Sequence, residues 1–227
     1  ISARAAIDLI TSGDTLAIHG AGGGNVEPDL LIKTLAEKFA DTGQPRDLTL
    51  FHVSGLGDWK VTGLNQLTGE GLVKRNIGGH YGMSPTYAQR ILDNKIEAYC
   101  WPQGVMSQWL REVAAGRPGL VTHIGLKTFI DPRVEGGRLN ACTTKELIEV
   151  VTLAGREWLF YRTFPLNVCF VRGTTADEKG NITMEQEPAY LEVLPMAMAT
   201  RNSGGIVICQ VKRLAQAGTL HPKQVKI

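Results

Sequence analysis

The fold is decided by a stretch near the start of the chain, Asp14-Thr-Leu-Ala-Ile-His-Gly-Ala-Gly-Gly-Gly24. A short apolar run leads directly into a glycine cluster, and Pro28 then opens a helical pattern. Glycine allows positive φ angles and, because it lacks a Cβ, lets backbone N–H groups approach a bound anion or carbonyl oxygen. The stretch therefore predicts a strand, a ligand-binding turn and a helix, without naming the ligand.

Outward from this stretch, apolar runs alternate with helical patterns along most of the chain. Runs that are apolar at successive positions, such as Ile206-Val-Ile-Cys209, fit strands buried on both faces of a parallel sheet. The predicted strands are residues 15–19, 48–53, 73–77, 96–100, 120–124, 147–151, 158–163, 168–173 and 206–211. We therefore predict an α/β fold in one domain, residues 1–227, with an open, mostly parallel sheet flanked by helices in Rossmann-like layers.

Two regions depart from this alternation. Residues 147–183 contain three strand-like runs and an Asp177-Glu-Lys-Gly-Asn181 turn, which predicts hairpins added at one edge of the sheet. A helix that begins at Pro188 is expected to be kinked at Pro195 and to stop at Gly204-Gly205.

Composition excludes several classes of function. The 24 Lys and Arg residues against 22 Asp and Glu leave the chain near neutrality, without the basic stripe that a nucleic-acid partner needs. No apolar segment reaches the ~18 residues of a transmembrane helix and no signal-peptide pattern is present, so we expect a cytoplasmic protein that does not engage a membrane. Its four cysteines form no Cys-x-x-Cys pair, which favours reduced core residues over disulfides.

The glycine cluster does not match the common nucleotide-binding signatures. A dinucleotide fingerprint counted from Gly20 would place Asn25 at its last glycine, and no acidic residue follows the second strand to hold a ribose. A Gly-x-x-x-x-Gly-Lys-Ser/Thr loop is absent as well. A plain tight turn is the alternative, but four glycines in the five residues 20–24 exceed what a turn needs, so close approach to a ligand is favoured.

Gln103 is a second candidate ligand contact. It follows a predicted strand in Trp101-Pro102-Gln103-Gly104 and opens a helix at the carboxyl edge of the sheet, where open α/β sheets bind ligands. Its amide can donate to a carboxylate or thioester oxygen without adding charge. The alternative is an ordinary first-turn residue that satisfies the local backbone.

Titratable side chains are also predicted near strand ends. Four of the five histidines fall there, without metal-ligand spacing, so we predict packed or hydrogen-bonded imidazoles and no metal site: His19, His52, His80 and His123. Three carboxylates are expected in loops at the same edge: Glu27, Asp58 and Glu70. Desolvation would make any of them an acid, base or nucleophile, although solvated loop carboxylates are commoner.

Seven motifs together carry a resemblance to a known family. They are Gly20-Ala-Gly-Gly-Gly24, Gly55-Leu-Gly-Asp58, Gly79-His-Tyr-Gly82, Pro102-Gln-Gly104, Thr128-Phe-Ile-Asp-Pro-Arg133, Gly136-Gly-Arg-Leu-Asn140 and Thr174-Thr-Ala-Asp177. Through them the chain resembles, from end to end, the N-terminal (alpha-type) half of the class I CoA-transferases, and most of all the single-chain acetate or propionate type. The resemblance implies that family's fold, which sugar-phosphate isomerases and deaminases share.

The resemblance also implies an activity, the transfer of CoA from a short-chain acyl-CoA to a free carboxylate. A glutamate attacks the thioester and forms an acyl-glutamyl anhydride, then a glutamyl-CoA thioester, so that CoA is a substrate and no cofactor or metal is permanently bound. The family's glycine turn and Pro-Gln-Gly glutamine line the cleft. Holding the substrate carboxylate or thioester oxygen therefore carries over to Gly22, Gly23, Gly24, Gln103 and Gly104.

The chain departs from the whole enzyme in lacking the nucleophile. The family's glutamate lies in the second half, in a Ser-Glu-Asn-Gly context that does not occur in these 227 residues. The chain begins with Ile1, not Met, and residues 222–227 fall about where the family's halves join. We therefore expect a substrate-binding half whose catalytic second domain is absent from this chain and acts as its partner, in a homo-oligomer of the full enzyme.

Lys127 is a second departure, since relatives more often have glycine at this position. The lysine is expected to point into solvent, the alternative being an effect on acceptor choice. Two other functions stay open: a sugar-phosphate isomerase or deaminase-like enzyme that binds phosphate at the glycine turn, and a non-catalytic ligand-sensing domain.

Overall fold

The computed structural model describes residues 1–220, so the expected junction at 222–227 lies outside the described residues. The strands are β1 (Thr15–Ile18), β2 (Leu48–His52), β3 (Val73–Gly78), β4 (Glu97–Cys100), β5 (Gly119–Thr122), β6 (Ile148–Leu153), β7 (Arg156–Arg162), β8 (Val168–Asp177), β9 (Ile182–Thr183) and β10 (Ile206–Ala215). The helices are α1 (Ala3–Ile7), α2 (Asp29–Thr42), α3 (Pro85–Leu92), α4 (Gln103–Ala114) and α5 (Val193–Asn202), with a 3₁₀ helix at Gly63–Leu67. None of the helices in residues 1–220 combines the length and apolar character needed to cross a membrane.

The main sheet has seven strands, in the order β10-β8-β1-β2-β3-β4 with β9 paired to β8. All pairs are parallel except β8 with β9. The chain runs from β1 outward to β4 on one side and later returns to β8 on the other, so the strand order reverses at β1. The mostly parallel sheet flanked by helices is therefore confirmed.

Successive strand residues point to two different buried layers. Ala17 and Phe51 belong to one hydrophobic cluster, whereas Leu16 and Leu50 belong to the other. Because side chains alternate across a strand and both faces are covered, the strands read as continuous apolar runs. Cys169 of β8, one of four unpaired cysteines, is part of this core, as predicted.

The predicted hairpins lie elsewhere than expected. The hairpin of β6 and β7 pairs with β5 in a separate antiparallel sheet and does not extend the main sheet. β8 lies inside the main sheet between β1 and β10, and only its far end turns back through β9. The reason is burial: residues 168–171 of β8 are all buried and need a neighbour on each side, whereas β6 is largely half-buried or exposed.

The last helix also differs from its prediction. It begins at Val193 and not at Pro188, so Pro195 is its third residue. The first residues of a helix donate no intrahelical hydrogen bond, so the proline's missing N–H costs nothing there. The predicted kink was therefore wrong, while the predicted stop before Gly204 is confirmed.

Trp109 of α4 joins the two sheets. Its ring stacks on Phe51 of β2 with the centroids 4.8 Å apart, and its Nε1 donates to the carbonyl oxygen of Arg162 in β7 at 3.0 Å. The indole is fully buried. The helix that begins with Gln103 is therefore fixed from both sides.

We predict that Trp109→Ala lowers the free energy of unfolding by about 3–5 kcal/mol, because it leaves a large cavity between the sheets. Gln108→Ala, at an exposed position of the same helix, is the control and should change it by less than about 0.5 kcal/mol. Urea denaturation measures both values. Equal losses in the two variants would contradict the joining role of Trp109.

Candidate functional site

The glycine turn, residues 20–25, lies at the carboxyl end of β1, where the strand order reverses. In open α/β sheets such a reversal leaves a crevice outside the strand ends, because the connections on either side lead away in opposite directions. The turn predicted from sequence is therefore at the position where this architecture binds ligands.

The turn is closed by its own hydrogen bonds. Ala21 N donates to Asn25 O at 2.9 Å, and the Asn25 side-chain amide donates to Gly22 O at 2.9 Å. Gly23 and Gly24 have φ angles of 77° and 78°, which explains the need for glycine at both positions. The turn is therefore a preformed loop with its backbone at the surface.

Two neighbouring loops pack against this turn. After β2, Gly57 O accepts a hydrogen bond from Gly23 N at 2.9 Å. After β3, the sulfur of Met83 fills the place that a Cβ on Gly22 would take. The Gly23 N–H is thus engaged within the chain. The Gly22 N–H makes no hydrogen bond to the backbone or side chains of residues 1–220 and is free for a ligand oxygen.

Gln103 is the first residue of α4 and is exposed. Its side chain makes no hydrogen bond to another part of residues 1–220, and it lies over Gly79, where an added Cβ would be 2.6 Å from Gln103 Cγ. Gly79 and Met83 are in the same loop, which contacts both Gln103 and the glycine turn. The structure therefore places both predicted ligand contacts along one edge of the sheet.

Gly104 and Gly79 differ from what the sequence suggested. Open space surrounds Gly104, so nothing within the described residues requires glycine there. A Cβ on Gly79 would instead overlap the carbonyl oxygen of Val53. Sequence reasoning did not single out Gly79 as a site residue, although its place directly after β3 was a usable signal.

Glu27 is the buried carboxylate of the site, only 1% exposed. Its Oε1 accepts a hydrogen bond from Gly57 N at 2.9 Å, and its Oε2 has no partner within residues 1–220. Burial raises the pKa of this carboxyl to about 7, while the N–H groups of Gly57 and Gly24 act in the opposite direction. The sequence placed Glu27 at this edge but could not show its burial.

The other two candidate carboxylates have different positions. Asp58 Oδ1 accepts hydrogen bonds from the N–H groups of Lys60, Val61 and Thr62, which lower the pKa of Asp58 to about 2. It stabilises its own loop as an ionised group. Glu70 precedes β3 and is exposed, so it lies toward the opposite edge of the sheet, and the prediction that it joins the site was wrong.

Of the four histidines predicted to be packed or hydrogen-bonded, His19 and His52 are buried and hydrogen-bonded, whereas His80 and His123 are exposed. His19 Nε2 lies 3.0 Å from Tyr190 O, and His52 Nδ1 lies 2.7 Å from Ser54 O. Burial lowers the pKa of both imidazoles to about 4, so they are neutral at physiological pH. Within residues 1–220 no three His, Cys, Asp or Glu side chains are grouped as metal ligands would be.

Lys127 is exposed, as expected, in the loop after β5. Its φ angle is 63° and its N–H donates to Asp131 Oδ2 at 2.9 Å. A positive φ favours glycine, which is a physical reason for relatives to have glycine at this position more often.

A family model described as coenzyme A transferase matches residues 1–227. The acetate CoA-transferase YdiF of Escherichia coli K12 is 44% identical over 227 residues, which are all of this chain and 43% of YdiF. The caffeate CoA-transferase of Acetobacterium woodii is 45% identical over the same length and 43% of that protein. This chain thus spans less than half the length of these curated relatives.

A crystal structure of the acyl-CoA transferase YdiF from E. coli O157:H7, a thioester complex with CoA, superposes with a TM-score of 0.96. The identity is 44%, and the superposition covers 100% of this chain and 47% of that one. The matched length and the shared fold confirm the family that the motifs indicated. The chain belongs to the coenzyme A transferase family.

Proposed function

We propose that residues 1–227 are the substrate-binding half of a short-chain acyl-CoA:carboxylate CoA-transferase. The observation that carries the proposal is the 44% identity to the acetate CoA-transferase YdiF over every residue of the chain. Because the chain corresponds to 43% of YdiF, we infer that it acts together with a second, catalytic half. This half would form one domain, and the full enzyme a homo-oligomer.

In the proposed reaction a glutamate of the second half attacks the thioester carbonyl carbon, and CoA thiolate leaves as the acyl-glutamyl anhydride forms. The thiolate then attacks the glutamyl carbonyl, which releases the donor acid as a carboxylate and leaves a glutamyl-CoA thioester. The acceptor carboxylate reverses both steps and departs as the new acyl-CoA. Each step exchanges one acyl substituent for another, so no electrons are transferred.

The contribution of this chain is to bind the carbonyl oxygen atom of the reacting group. During each attack a carbonyl oxygen gains negative charge, and fixed N–H donors stabilise that charge more than they stabilise the ground state. The Gln103 amide and the Gly22 N–H suit this task, since neither is satisfied by another group within residues 1–220. Trp109 anchors the helix that carries Gln103.

The proposal predicts that CoA exchange between propionyl-CoA and labelled acetate requires the second half. We expect no turnover by residues 1–227 alone and turnover after the downstream polypeptide is added, because the nucleophile resides there. Turnover by the chain alone would show that one of its own carboxylates attacks. No turnover in either case would favour phosphosugar chemistry or ligand sensing.

We further predict that Gln103→Ala in the full-length enzyme lowers kcat by about 100-fold, as expected for loss of one donor to a developing oxyanion. The melting temperature should be unchanged because Gln103 is exposed. Gln108→Ala, at another exposed position of α4 five residues further along, should keep full activity. An unchanged kcat in Gln103→Ala would show that Gln103 does not stabilise the developing oxyanion.

A further inference from the structure

Glu27 lies directly against the glycine turn. A Cβ added to Gly20 would be 2.7 Å from Glu27 Cγ, and the carboxyl group is buried among the loops at the carboxyl edge. A buried carboxyl with one unpartnered oxygen is costly unless it has a role or takes up a proton. This residue is neither the proposed nucleophile nor an exposed ligand contact, so the proposed reaction leaves it unexplained.

Its hydrogen bonds form a relay to the turn. Glu27 Oε1 accepts from Gly57 N, and Gly57 O in turn accepts from Gly23 N, both at 2.9 Å. Gly57, in the loop that follows β2 (the β2 loop), is therefore held through its N–H by the carboxyl group and through its carbonyl oxygen by the glycine turn. Removing the carboxyl would release Gly57 and, through it, the turn.

The charges around Glu27 are mostly negative. The carboxylates of Asp29 and Asp58 disfavour its ionised form. Arg172 Nη1 donates to the Glu27 backbone carbonyl at 3.4 Å, but this guanidinium is paired with Glu187 at 3.2 Å. His80, from the loop after β3, packs against Gly55. Arg172, the permanent cation among these groups, is therefore already paired and contacts the backbone of Glu27, not its carboxyl group.

We propose that Glu27 is a positioning residue that holds the β2 loop against the glycine turn, and that a carboxylate substrate binds the turn when the Glu27 carboxyl is neutral. The inference rests on the proposed function, because it assumes that the turn binds a substrate oxygen. An ionised Glu27 would place negative charge beside the glycine turn, whose Gly22 N–H is free for the anion. A neutral carboxyl keeps Oε1 as acceptor for Gly57 N and carries its proton on the unpartnered Oε2.

Stability against pH tests whether Glu27 titrates. The folded-state pKa of about 7 lies above the usual 4.5, so the folded protein binds this proton more tightly than the unfolded chain. The resulting stabilisation is complete below pH 4.5 and is lost as the pH rises to about 7. The urea midpoint of wild type relative to Glu27→Gln should fall across this window, and parallel profiles would contradict the titration.

Steady-state kinetics of the full-length protein test the coupling to substrate. From pH 6 to pH 8 the wild-type KM for acetate should rise by about three- to tenfold, with a smaller change in kcat. Glu27→Gln should flatten this KM profile, because its amide oxygen still accepts from Gly57 N but the side chain cannot ionise. Glu27→Ala should raise KM at both pH values, while the exposed-site control Glu70→Gln should follow wild type.

Binding of ¹³C-labelled acetate, followed by NMR line broadening in the same samples, separates this inference from the proposed function. Acetate affinity that falls with pH in wild type but not in Glu27→Gln supports the role of Glu27 even where no CoA is transferred. CoA transfer with the same pH slope in both proteins, or with no slope in wild type, overturns the role of Glu27 alone. Absence of acetate binding at both pH values overturns both proposals.

Discussion

The pairing of β1 on both sides is the constraint on which the rest of the structure depends. This strand has four residues, and Leu16 and Ala17 are fully buried, so it is stable only with β2 on one side and β8 on the other. Placing the first strand in the middle forces the strand order to reverse there. The crevice that follows from this reversal, and therefore the location of the site, is a consequence of the burial of one short strand.

The site is built largely from backbone. Glycines at the ends of β1, β2 and β3 let three loops come into direct contact: Gly22 with Met83, Gly23 with Gly57, and Gly79 with Gln103. Gln103, the side chain at this edge that we propose contacts a ligand, is exposed and uncharged. Such an arrangement suits a reaction in which the nucleophile is supplied by another part of the enzyme and this surface only binds and orients oxygen atoms.

Local sequence signals predicted where the strands and helices lie, but they did not predict which strands lie next to each other in a sheet. Each of the nine predicted strands overlaps an observed one, because most of them are runs of apolar residues, which are strong local signals. The hairpin of β6 and β7 was recognised as a hairpin but assigned to the main sheet, since periodicity says nothing about which strands pair. The two-residue β9 and the short α1 were too short to leave a pattern.

The same distinction holds in the site. The sequence placed the glycine turn and Gln103 at one edge of the sheet because strand-to-helix junctions are visible in it. Glu27 and Glu70 looked alike in the sequence, yet one is buried beside the turn and the other is exposed before β3. Burial depends on contacts between residues far apart in the chain, as with Glu27 and Gly57, and no local pattern records it.

The central place of β8 also sets the order in which the protein can be assembled. Thr15 at the start of β1 bonds to Asn167 just before β8, a partner 152 residues further along the chain. A ribosome adding roughly 5–20 residues per second takes on the order of ten to thirty seconds to make that span. During that interval β1 has an open edge, so the nascent chain carries an unpaired, apolar strand at residues 15–18 and depends on the later synthesis of β8 to close it.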